Sequence, residues 1–305
     1  MSPARKPRVT CVGVIFHDEV FHVDALPRAD GKYPAREAYD CGGGMSATAA
    51  VAAARLGADA AFVGRVGDDA RGAALRRGLE ACGVDAGGLR SIPGATTAHS
   101  AVIVDRGGDR IIVSFQGSGL DPDAGWLPRA DIARADAVVV DVRWQAGALA
   151  ALEVAREAGH IGLLDADVAH GAEVSELLAA ASHIAFSAPA LRTLTGEGRL
   201  DRALRRVEAP AARLVAVTDG ARGVWWREGS RVHRVPAPAV EARSTLGAGD
   251  VFHGALGVAL AEGASARDAV DFAAVAAALK CTHDAGWEAM PTREEVARVQ
   301  RVSAG

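Results

Sequence analysis

Short apolar runs alternate with alanine-rich segments over most of the 305 residues, and this alternation constrains the fold more than any other feature. The apolar runs have the length of buried strands, while the segments between them repeat apolar residues at helical spacing and end on glycine. Strands separated by helices pair in parallel, and a parallel sheet needs helices on both faces. The sequence therefore predicts an α/β fold whose strands are RVTCVGVI, DAAFVGRVG, ADAVVVDV, HIGLLDAD, HIAFSA and RLVAVTDG.

Two regions, residues 14–40 and 97–117, depart from this alternation. Each holds strand-like pieces interrupted by turns, and the second predicts a hairpin around Gly107-Gly108. Strands without helices between them do not join a parallel sheet easily, so we expect a small separate sheet that forms a lid over the ligand-binding edge. The sequence shows no internal repeat and no low-complexity linker, and residues 1–305 are predicted to form a single domain that includes the lid.

Charge and composition argue against several classes of function. The net charge of −4 gives no reason to expect nucleic acid or an anionic membrane as a partner. The apolar run near the N-terminus is broken by His17 and Asp18, so it is too short to span a membrane and is interpreted as a first strand. The four cysteines lack the spacing of metal ligands and are typical of small buried residues in a reducing compartment. The sequence therefore predicts a cytoplasmic protein.

A glycine-rich turn opens the apolar segment STLGAGDVFHGALGVALAEG at residues 244–263. The turn consists of Gly247, Ala248, Gly249 and Asp250. Backbone N–H groups at the start of a helix favour an anion such as phosphate, and glycines let the ligand approach the backbone closely. A carboxylate beside a phosphate is placed to accept a proton from an attacking hydroxyl, so Asp250 is a candidate general base.

The same turn also has a simpler interpretation. Ser244 or Thr245 would cap an ordinary helix, and Asp250 would only complement the positive end of its dipole. Short glycine motifs often match by chance, so the turn alone leaves both interpretations open. His253 follows Asp250 by one helical turn, and we expect it to be a packed helix residue and not a catalytic one.

A second glycine cluster, CGGGMSATAAVAAARLG, occupies residues 41–57. Gly42, Gly44 and Ala47 match the dinucleotide-binding pattern G-x-G-x-x-A, but no buried strand precedes them, as that site requires. The pattern G-x-x-x-x-G-K-[ST] does not occur, which excludes a P-loop. The cluster is therefore either a tight turn packed on the sheet or a loop where small side chains let a ligand approach.

Taken together, these motifs resemble the PfkB, or ribokinase-like, family of carbohydrate kinases over nearly the whole chain. The N-terminal signature of that family is matched by Gly43-Gly44, the helix ending in RLG, and VGRVGDDARG at residues 63–72. The C-terminal signature is matched by GAGD at residues 247–250. TDGARG at residues 218–223 resembles the nucleotide-binding segment of the family, and MPTREEV at residues 290–296 resembles its common ending.

The resemblance implies phosphoryl transfer from ATP, accompanied by Mg²⁺, to a sugar, with Asp250 as the catalytic base and residues 247–249 as the anion hole. The sugar-binding residues that it implies are Asp18, Gly43, Gly44 and Thr48. The nucleotide-binding residues that it implies are Ser187, Thr218, Gly220, Gly223, Gly247 and Gly249. It also implies a homodimer formed through the lid.

Five stretches resemble one branch of this family, the 6-deoxy-6-sulfofructose kinases: KYPAR, DVRW, AFSAPALRTLTG, GDVFHGAL and AALKCT. A sulfonate is permanently anionic and must be met by cations, which Lys32 in the lid and Arg143 after a strand are placed to supply. Alternatively, Lys32 is a solvated lid residue and Arg143 forms a surface ion pair. Ser114 stands where this branch tends to carry an amide, and its hydroxyl still offers one hydrogen bond to a sulfonate.

Several positions depart from the family pattern. Ser244 replaces an acid that often helps to hold a monovalent cation, so potassium activation is not expected. Ser187 and Ala190 replace the Asn-x-x-Glu residues tied to magnesium and phosphate. We therefore predict no metal ligand in the protein and expect magnesium to arrive with ATP, held by phosphates and water. Thr48 stands in place of the usual asparagine of the N-terminal signature.

The predicted function is ATP-dependent phosphorylation of a primary hydroxyl of a ketose, with the C1 hydroxyl of 6-deoxy-6-sulfofructose as the preferred acceptor. One alternative keeps the fold but changes the substrate to a neutral sugar, such as fructose or ribose, or to a keto-deoxy acid. Another alternative is a catalytically silent protein that binds sugar or nucleotide as a regulator. The lost Asn-x-x-Glu residues favour the regulator, and the intact GAGD turn argues against it.

Overall fold

The computed structural model of the protein describes residues 5–167, 174–283 and 286–303. In chain order, the strands are β1 (Arg8–Val12), β2 (Phe16–His22), β3 (Glu37–Gly43), β4 (Asp59–Gly67), β5 (Asp85–Ile92), β6 (His99–Val104), β7 (Arg110–Phe115), β8 (Ala137–Asp141), β9 (Ile161–Ala166), β10 (His183–Ser187), β11 (Leu214–Thr218), β12 (Val224–Glu228) and β13 (Arg231–Val235). The helices are α1 (Met45–Arg55), α2 (Ala70–Ala81), α3 (Arg129–Ile132), α4 (Gln145–Glu157), α5 (Ser175–Ala180), α6 (Ala188–Thr195), α7 (Leu200–Arg206), α8 (Ala248–Ala261), α9 (Ala266–Lys280) and α10 (Arg293–Ser303). Short 3₁₀ turns cover Gly220–Arg222 and Trp287–Ala289.

A mostly parallel sheet runs through the centre of the described residues, with nine strands in the order β13-β12-β11-β10-β9-β8-β1-β4-β5. β12 and β13 are antiparallel at one edge, and the pairs from β11 to β5 are parallel. All five residues of β8 are buried, because helices cover both faces of the sheet. The predicted α/β fold is confirmed.

A second sheet contains four strands in the order β3-β2-β6-β7. β2 pairs in parallel with β6, whereas β2 with β3 and β6 with β7 are antiparallel. The β6–β7 hairpin turns through Asp105–Asp109, where the backbone N–H groups of Gly107 and Asp109 donate to the Asp105 carboxylate. These four strands come from the two regions of the sequence that lack helices.

Two apolar cores lie on opposite faces of the central sheet. One contains α1, α8 and α9 together with inward residues such as Val9 and Val139, and the other contains α4, α6 and α7 together with Val138 and Val140. Helix α8 contacts α1, α9 and the sheet, which explains why its sequence is apolar on all sides. Among the described residues, no helix combines the length and apolar character that crossing a membrane requires.

The carboxyl ends of β8, β9, β10 and β11 meet at one edge of the central sheet. Asp141 of β8 is in register with Asp165 of β9, and Ser187 of β10 is in register with Thr218 of β11. Ligands of open parallel sheets bind outside the carboxyl ends of the strands, so this edge is where a site is expected.

Candidate active site

A cavity of about 490 Å³ lies between this edge and the second sheet. Most of the residues that the sequence singled out line it: Asp18, Gly43, Gly44, Thr48, Ser114, Arg143, Ser187, Thr218, Gly247, Gly249 and Asp250. The lining does not include Lys32, Ala248, Gly220 and Gly223. The carboxylates, hydroxyls and helix start expected for phosphoryl transfer therefore share one cavity.

The glycine-rich turn forms the N-terminus of α8. Gly247 precedes the helix with φ of 75°, a left-handed conformation that favours glycine, and no side chain caps the helix. The interpretation in which Ser244 or Thr245 caps α8 is therefore wrong. A Cβ atom on Gly249 would meet no protein atom within 4 Å, so this part of the turn is open to the cavity. The Ala248 N–H donates to the Thr245 carbonyl oxygen at 3.3 Å, which leaves the N–H groups of Gly249 and Asp250 for an anion.

Asp250 is the third residue of α8 and faces the cavity. Burial raises the pKa of Asp250 well above its usual range, the charge of Asp165 raises it further, and His253 acts in the opposite direction. A carboxylate with a raised pKa is a stronger base than an ordinary one. The acid in the first turn of this buried helix therefore lies beside N–H groups that an anion could bind, which is the arrangement expected of the predicted catalytic base.

His253 holds α8 against the sheet. Its side chain is buried, with Nδ1 at 2.7 Å from the Gly249 carbonyl oxygen and Nε2 at 3.1 Å from the Ala185 carbonyl oxygen of β10. Nδ1 also lies 3.1 Å from Oδ2 of Asp165. Burial lowers the pKa of His253, and the surrounding oxygens oppose that change. The ring therefore fixes the start of α8, and with it Asp250, relative to β9 and β10.

Three carboxylates at this edge are not among the predicted site residues. Asp141 accepts hydrogen bonds from the Val14 N–H at 2.8 Å and the Ser46 hydroxyl at 2.6 Å, which ties the end of β1 to α1. Asp165 lies near the end of β9, and burial raises its pKa well above the usual range. Asp167 accepts a hydrogen bond from the Ser187 hydroxyl at 2.7 Å. Each acid lies at the end of an apolar run, VVVD or LLDAD. An acid at the carboxyl end of a buried strand is a sequence signal for a ligand-binding residue.

Asp18 lies at the opposite wall of the cavity, in the second sheet. Its Oδ1 accepts a hydrogen bond from the Ser100 hydroxyl at 2.5 Å, and burial raises its pKa. A Cβ atom on Gly43 would lie 2.0 Å from Oδ2 of Asp18. Glycine at position 43 therefore allows the carboxylate to cross the strand and reach the cavity.

Replacing Gly43 with alanine is expected to raise KM for the sugar by about tenfold and to change kcat much less, because the methyl group displaces Asp18 and weakens a hydrogen bond to a charged group. Gly198→Ala is a matched control, since a Cβ atom there meets nothing within 4 Å. Initial rates at saturating ATP test this, and equal KM values for both variants would contradict a sugar-binding role for Asp18.

The nucleotide-binding residues expected from the sequence fall into two groups. Ser187 caps α6, and Thr218 ends β11 beside it, so both hydroxyls reach the cavity. Gly220 begins the 3₁₀ turn after β11, Gly223 follows that turn, and neither is part of the lining. This turn connects β11 to the antiparallel strand β12 at the rim of the site.

The structure places only some of the residues predicted to bind an anionic group at the cavity. Lys32 is exposed in the segment between β2 and β3, away from the cavity lining. Arg143 and Ser114 do line the cavity, and the amide of Gln116 donates to the Ser114 hydroxyl at 3.4 Å. Gln116 was missed by the sequence analysis, although it supplies an amide next to the position where one was expected.

A model of the pfkB family carbohydrate kinases matches residues 6–293, which include both sheets and the site. The chain belongs to the PfkB family of carbohydrate kinases. Among its relatives is the ATP-dependent ribose-1-phosphate kinase of Halopiger xanaduensis, which is 33% identical over 95% of this chain and 97% of the relative. The ribokinase of Bacillus subtilis is 30% identical over 94% of this chain and 97% of its own.

Solved structures agree with this membership. A crystal structure of a ribokinase candidate from Agrobacterium tumefaciens matches with a TM-score of 0.93 and 40% identity, covering 98% of this chain and 99% of that one. The protein is therefore an ATP-dependent carbohydrate kinase, which excludes a silent regulator. The comparisons establish the PfkB family and not the sulfofructose branch, which stays a prediction.

For this PfkB kinase we expect no marked stimulation by potassium. Ser244 supplies no charge for a cation, its hydroxyl accepts from the Leu246 N–H at 3.3 Å, and its own N–H donates to the Cys281 carbonyl at 3.1 Å. Rates in matched potassium and choline salts should agree. A several-fold higher rate in potassium alone would show that carbonyl oxygens complete a cation site without the acid.

Proposed function

We propose that this kinase phosphorylates the C1 hydroxyl of a ketose whose far end carries an anionic group, with 6-deoxy-6-sulfofructose as the best candidate. The proposal rests mainly on Arg143. Arg143 lines the cavity, is exposed, and within the described residues forms no ion pair. Its charge still acts on the buried Asp165, whose pKa it lowers. A cation without a carboxylate partner at the wall of a substrate cavity favours an anionic substituent on the substrate.

The reaction follows from the position of the carboxylate and the turn. The γ-phosphate of ATP would lie at the N-terminus of α8, where the N–H groups of residues 247–250 stabilise charge on the transferring phosphoryl group. The acceptor hydroxyl would lie between Asp250 and this phosphate, and Asp250 would take its proton. The second sheet would act as the lid, excluding water and so limiting hydrolysis of ATP.

Magnesium is part of this proposal only as a companion of ATP. The described residues contain no group of three or more His, Cys, Asp or Glu side chains arranged to hold a metal ion. Ser187, which replaces the family asparagine, donates its hydroxyl to Asp167. As expected from the sequence, we propose that the ion arrives with ATP, held by phosphate oxygens and water, where it would offset negative charge on the phosphates.

Two of the relatives favour different substrates for this kinase. The Halopiger xanaduensis enzyme acts on ribose-1-phosphate, a sugar that already carries an anionic group. The Bacillus subtilis relative is a ribokinase, which favours the second candidate, a kinase of a neutral sugar such as ribose or fructose. The absence of an ion pair at Arg143 among the described residues is the reason to rank the anionic ketose first.

A substrate panel tests the proposal. ATP consumption would be measured with 6-deoxy-6-sulfofructose, ribose-1-phosphate, fructose and ribose, each over a range of concentrations, and kcat/KM compared. The anionic ketose should have the highest value. A preference for fructose or ribose would replace the proposal by the neutral-sugar kinase, without changing the family or the role proposed for Asp250.

We propose that two copies of the chain form a homodimer through the lid, in contact at the exposed face of β7. The side chains of Val113 and Phe115 are 65% and 45% exposed, and alternate residues of a strand share one face. A second copy placed against this face would cover them. We also propose a cytoplasmic location, where ATP is available and the four free cysteines stay reduced.

A further inference from the structure

A second chamber of about 940 Å³ adjoins the sugar cavity. Both spaces share Val14, Ile112, Ser114, Gln116 and Arg143 in their linings, so a group on the substrate can extend from one into the other. The second chamber is also lined by Arg65 of β4 and by Trp144 and Ala146 at the start of α4. None of these three residues was assigned a role by the sequence analysis.

Arg65 is a half-buried cation without a counterion. It forms no ion pair with any described Asp or Glu, and its Nε is buried without a hydrogen-bond partner. One terminal nitrogen of the guanidinium donates to the Asp121 carbonyl oxygen, which leaves other N–H donors of the same group unused. Burial lowers the pKa of Arg65 to about 10, so the side chain still carries its charge at neutral pH.

An aromatic stack holds Arg65 in place. Its guanidinium lies 4.1 Å from the centroid of the Trp144 ring, and Trp144 stacks on Trp126 with ring centroids 5.5 Å apart. Arg90 lies over the far side of this stack, 5.2 Å from the Trp126 ring, and is not part of the chamber lining. Cation–π contacts fix the orientation of a guanidinium but do not neutralise its charge.

Two arginines without carboxylate partners therefore line one chamber. Arg143 is exposed, whereas Arg65 is half-buried, and a partly buried charge is normally paired, so Arg65 in particular lacks an anion. The start of α4 adds to the positive potential, because Trp144 provides no side-chain cap there. Asp121 and Asp141 act on Arg65 only from a distance.

We infer that this chamber is a binding site for one tetrahedral oxyanion, a sulfonate or a phosphate, held jointly by Arg65 and Arg143. The inference rests on the proposed function in that the anion is taken to be the terminal group of the ketose. Arg65 is then a second determinant of substrate specificity, on a different strand from Arg143. A free inorganic anion has the same chemistry, and the experiment separates the two sources.

The first measurement needs no catalysis. Methanesulfonate would be titrated calorimetrically into the wild type, Arg65→Gln, and the matched control Arg90→Gln, which removes the cation at the other end of the same stack. The wild type and Arg90→Gln should bind alike, and Arg65→Gln should bind about tenfold more weakly, as expected for loss of a charge-assisted contact. No saturable binding by the wild type, or equal binding by all three proteins, would overturn the inference.

The second measurement is kinetic. The ratio of kcat/KM for 6-deoxy-6-sulfofructose to that for fructose should fall about tenfold in Arg65→Gln, less in Arg65→Lys, and remain unchanged in Arg90→Gln. Arg65→Lys keeps the charge, and it covers the case in which Arg65→Gln unfolds. If the ratio falls equally in Arg65→Gln and Arg90→Gln, Arg65 only supports the aromatic stack. That result would overturn the inference.

Inorganic sulfate distinguishes the two sources of the anion. If the chamber holds the terminal group of the sugar, sulfate should compete with sulfofructose and leave KM for fructose unchanged. If it holds a free anion beside a neutral sugar, sulfate should lower KM for fructose in the wild type and not in Arg65→Gln. Should the wild type prefer fructose, the proposed function fails, while the calorimetric titration still decides whether the chamber binds an oxyanion.

Discussion

Replacing Asp250 with asparagine is expected to lower kcat by at least about a hundredfold, because removal of a positioned general base typically costs a factor of about 10²–10⁴. ATP binding should change little, since asparagine leaves the N–H groups of the turn and the start of α8 in place. Steady-state rates and calorimetric titration with ATP measure the two quantities separately.

Helix α9 offers a matched control for this substitution. Asp268 is the third residue of α9, as Asp250 is of α8, and it accepts a hydrogen bond from the N-cap Ser265. Asp268→Asn removes the same charge from the same helical position outside the cavity, so its kcat should stay within about twofold of the wild type. Turnover of Asp250→Asn within tenfold of the wild type would remove Asp250 from the role of base.

The raised pKa of Asp250 also predicts the shape of the pH profile. A base acts when it is deprotonated, so activity is lost as pH falls through its pKa. Because burial and Asp165 raise that pKa, kcat/KM should decline at a pH well above the range of an exposed aspartate. The Asp250→Asn variant should lack this decline in its residual rate.

The fold was predictable from the sequence because its main signal is long-range and repeated. Six apolar runs of strand length, separated by helical segments, leave few architectures other than a parallel sheet between helices. Strands β5, β12 and β13 of the central sheet lie outside those six runs, because glycines or charged residues break up their apolar residues. In β5, Gly87 and Gly88 interrupt the apolar pattern, and Gly88 is there because a Cβ atom would lie 2.7 Å from Cγ2 of Val63.

The site was predictable where backbone geometry dictates the residue. Gly247 is required by its positive φ, and Gly43 is required by the close approach of Asp18. Glycines at such positions form a recognisable sequence motif. Arg65 leaves none, because the role proposed for it depends on which strands are neighbours in the sheet. Lys32 shows the opposite failure: its charge suits a sulfonate, but the fold leaves it outside the cavity lining.

Replacing Arg143 with alanine is expected to lower the ratio of kcat/KM for 6-deoxy-6-sulfofructose to that for fructose by about 10- to 150-fold. A hydrogen-bonded contact to a charged group contributes about 1.5–3 kcal/mol, and about 1.4 kcal/mol corresponds to a factor of ten. Fructose has no anionic group at that position, so its kcat/KM should hardly change. Arg156→Ala, which removes an exposed arginine near the end of α4, is the control and should leave the ratio unchanged.

Lys32→Ala tests the other cation that the sequence predicts for the sulfonate, besides Arg143. Because Lys32 lies outside the cavity lining, we expect a smaller fall in the ratio than for Arg143→Ala, and a fall of equal size would show that the β2–β3 segment closes over the bound sugar. The hypothesis of an anionic substrate depends on Arg143, since this residue lines both chambers. If Arg143→Ala impairs both sugars equally, the guanidinium stabilises the site and not a substrate charge, and the kinase of a neutral sugar becomes the better account.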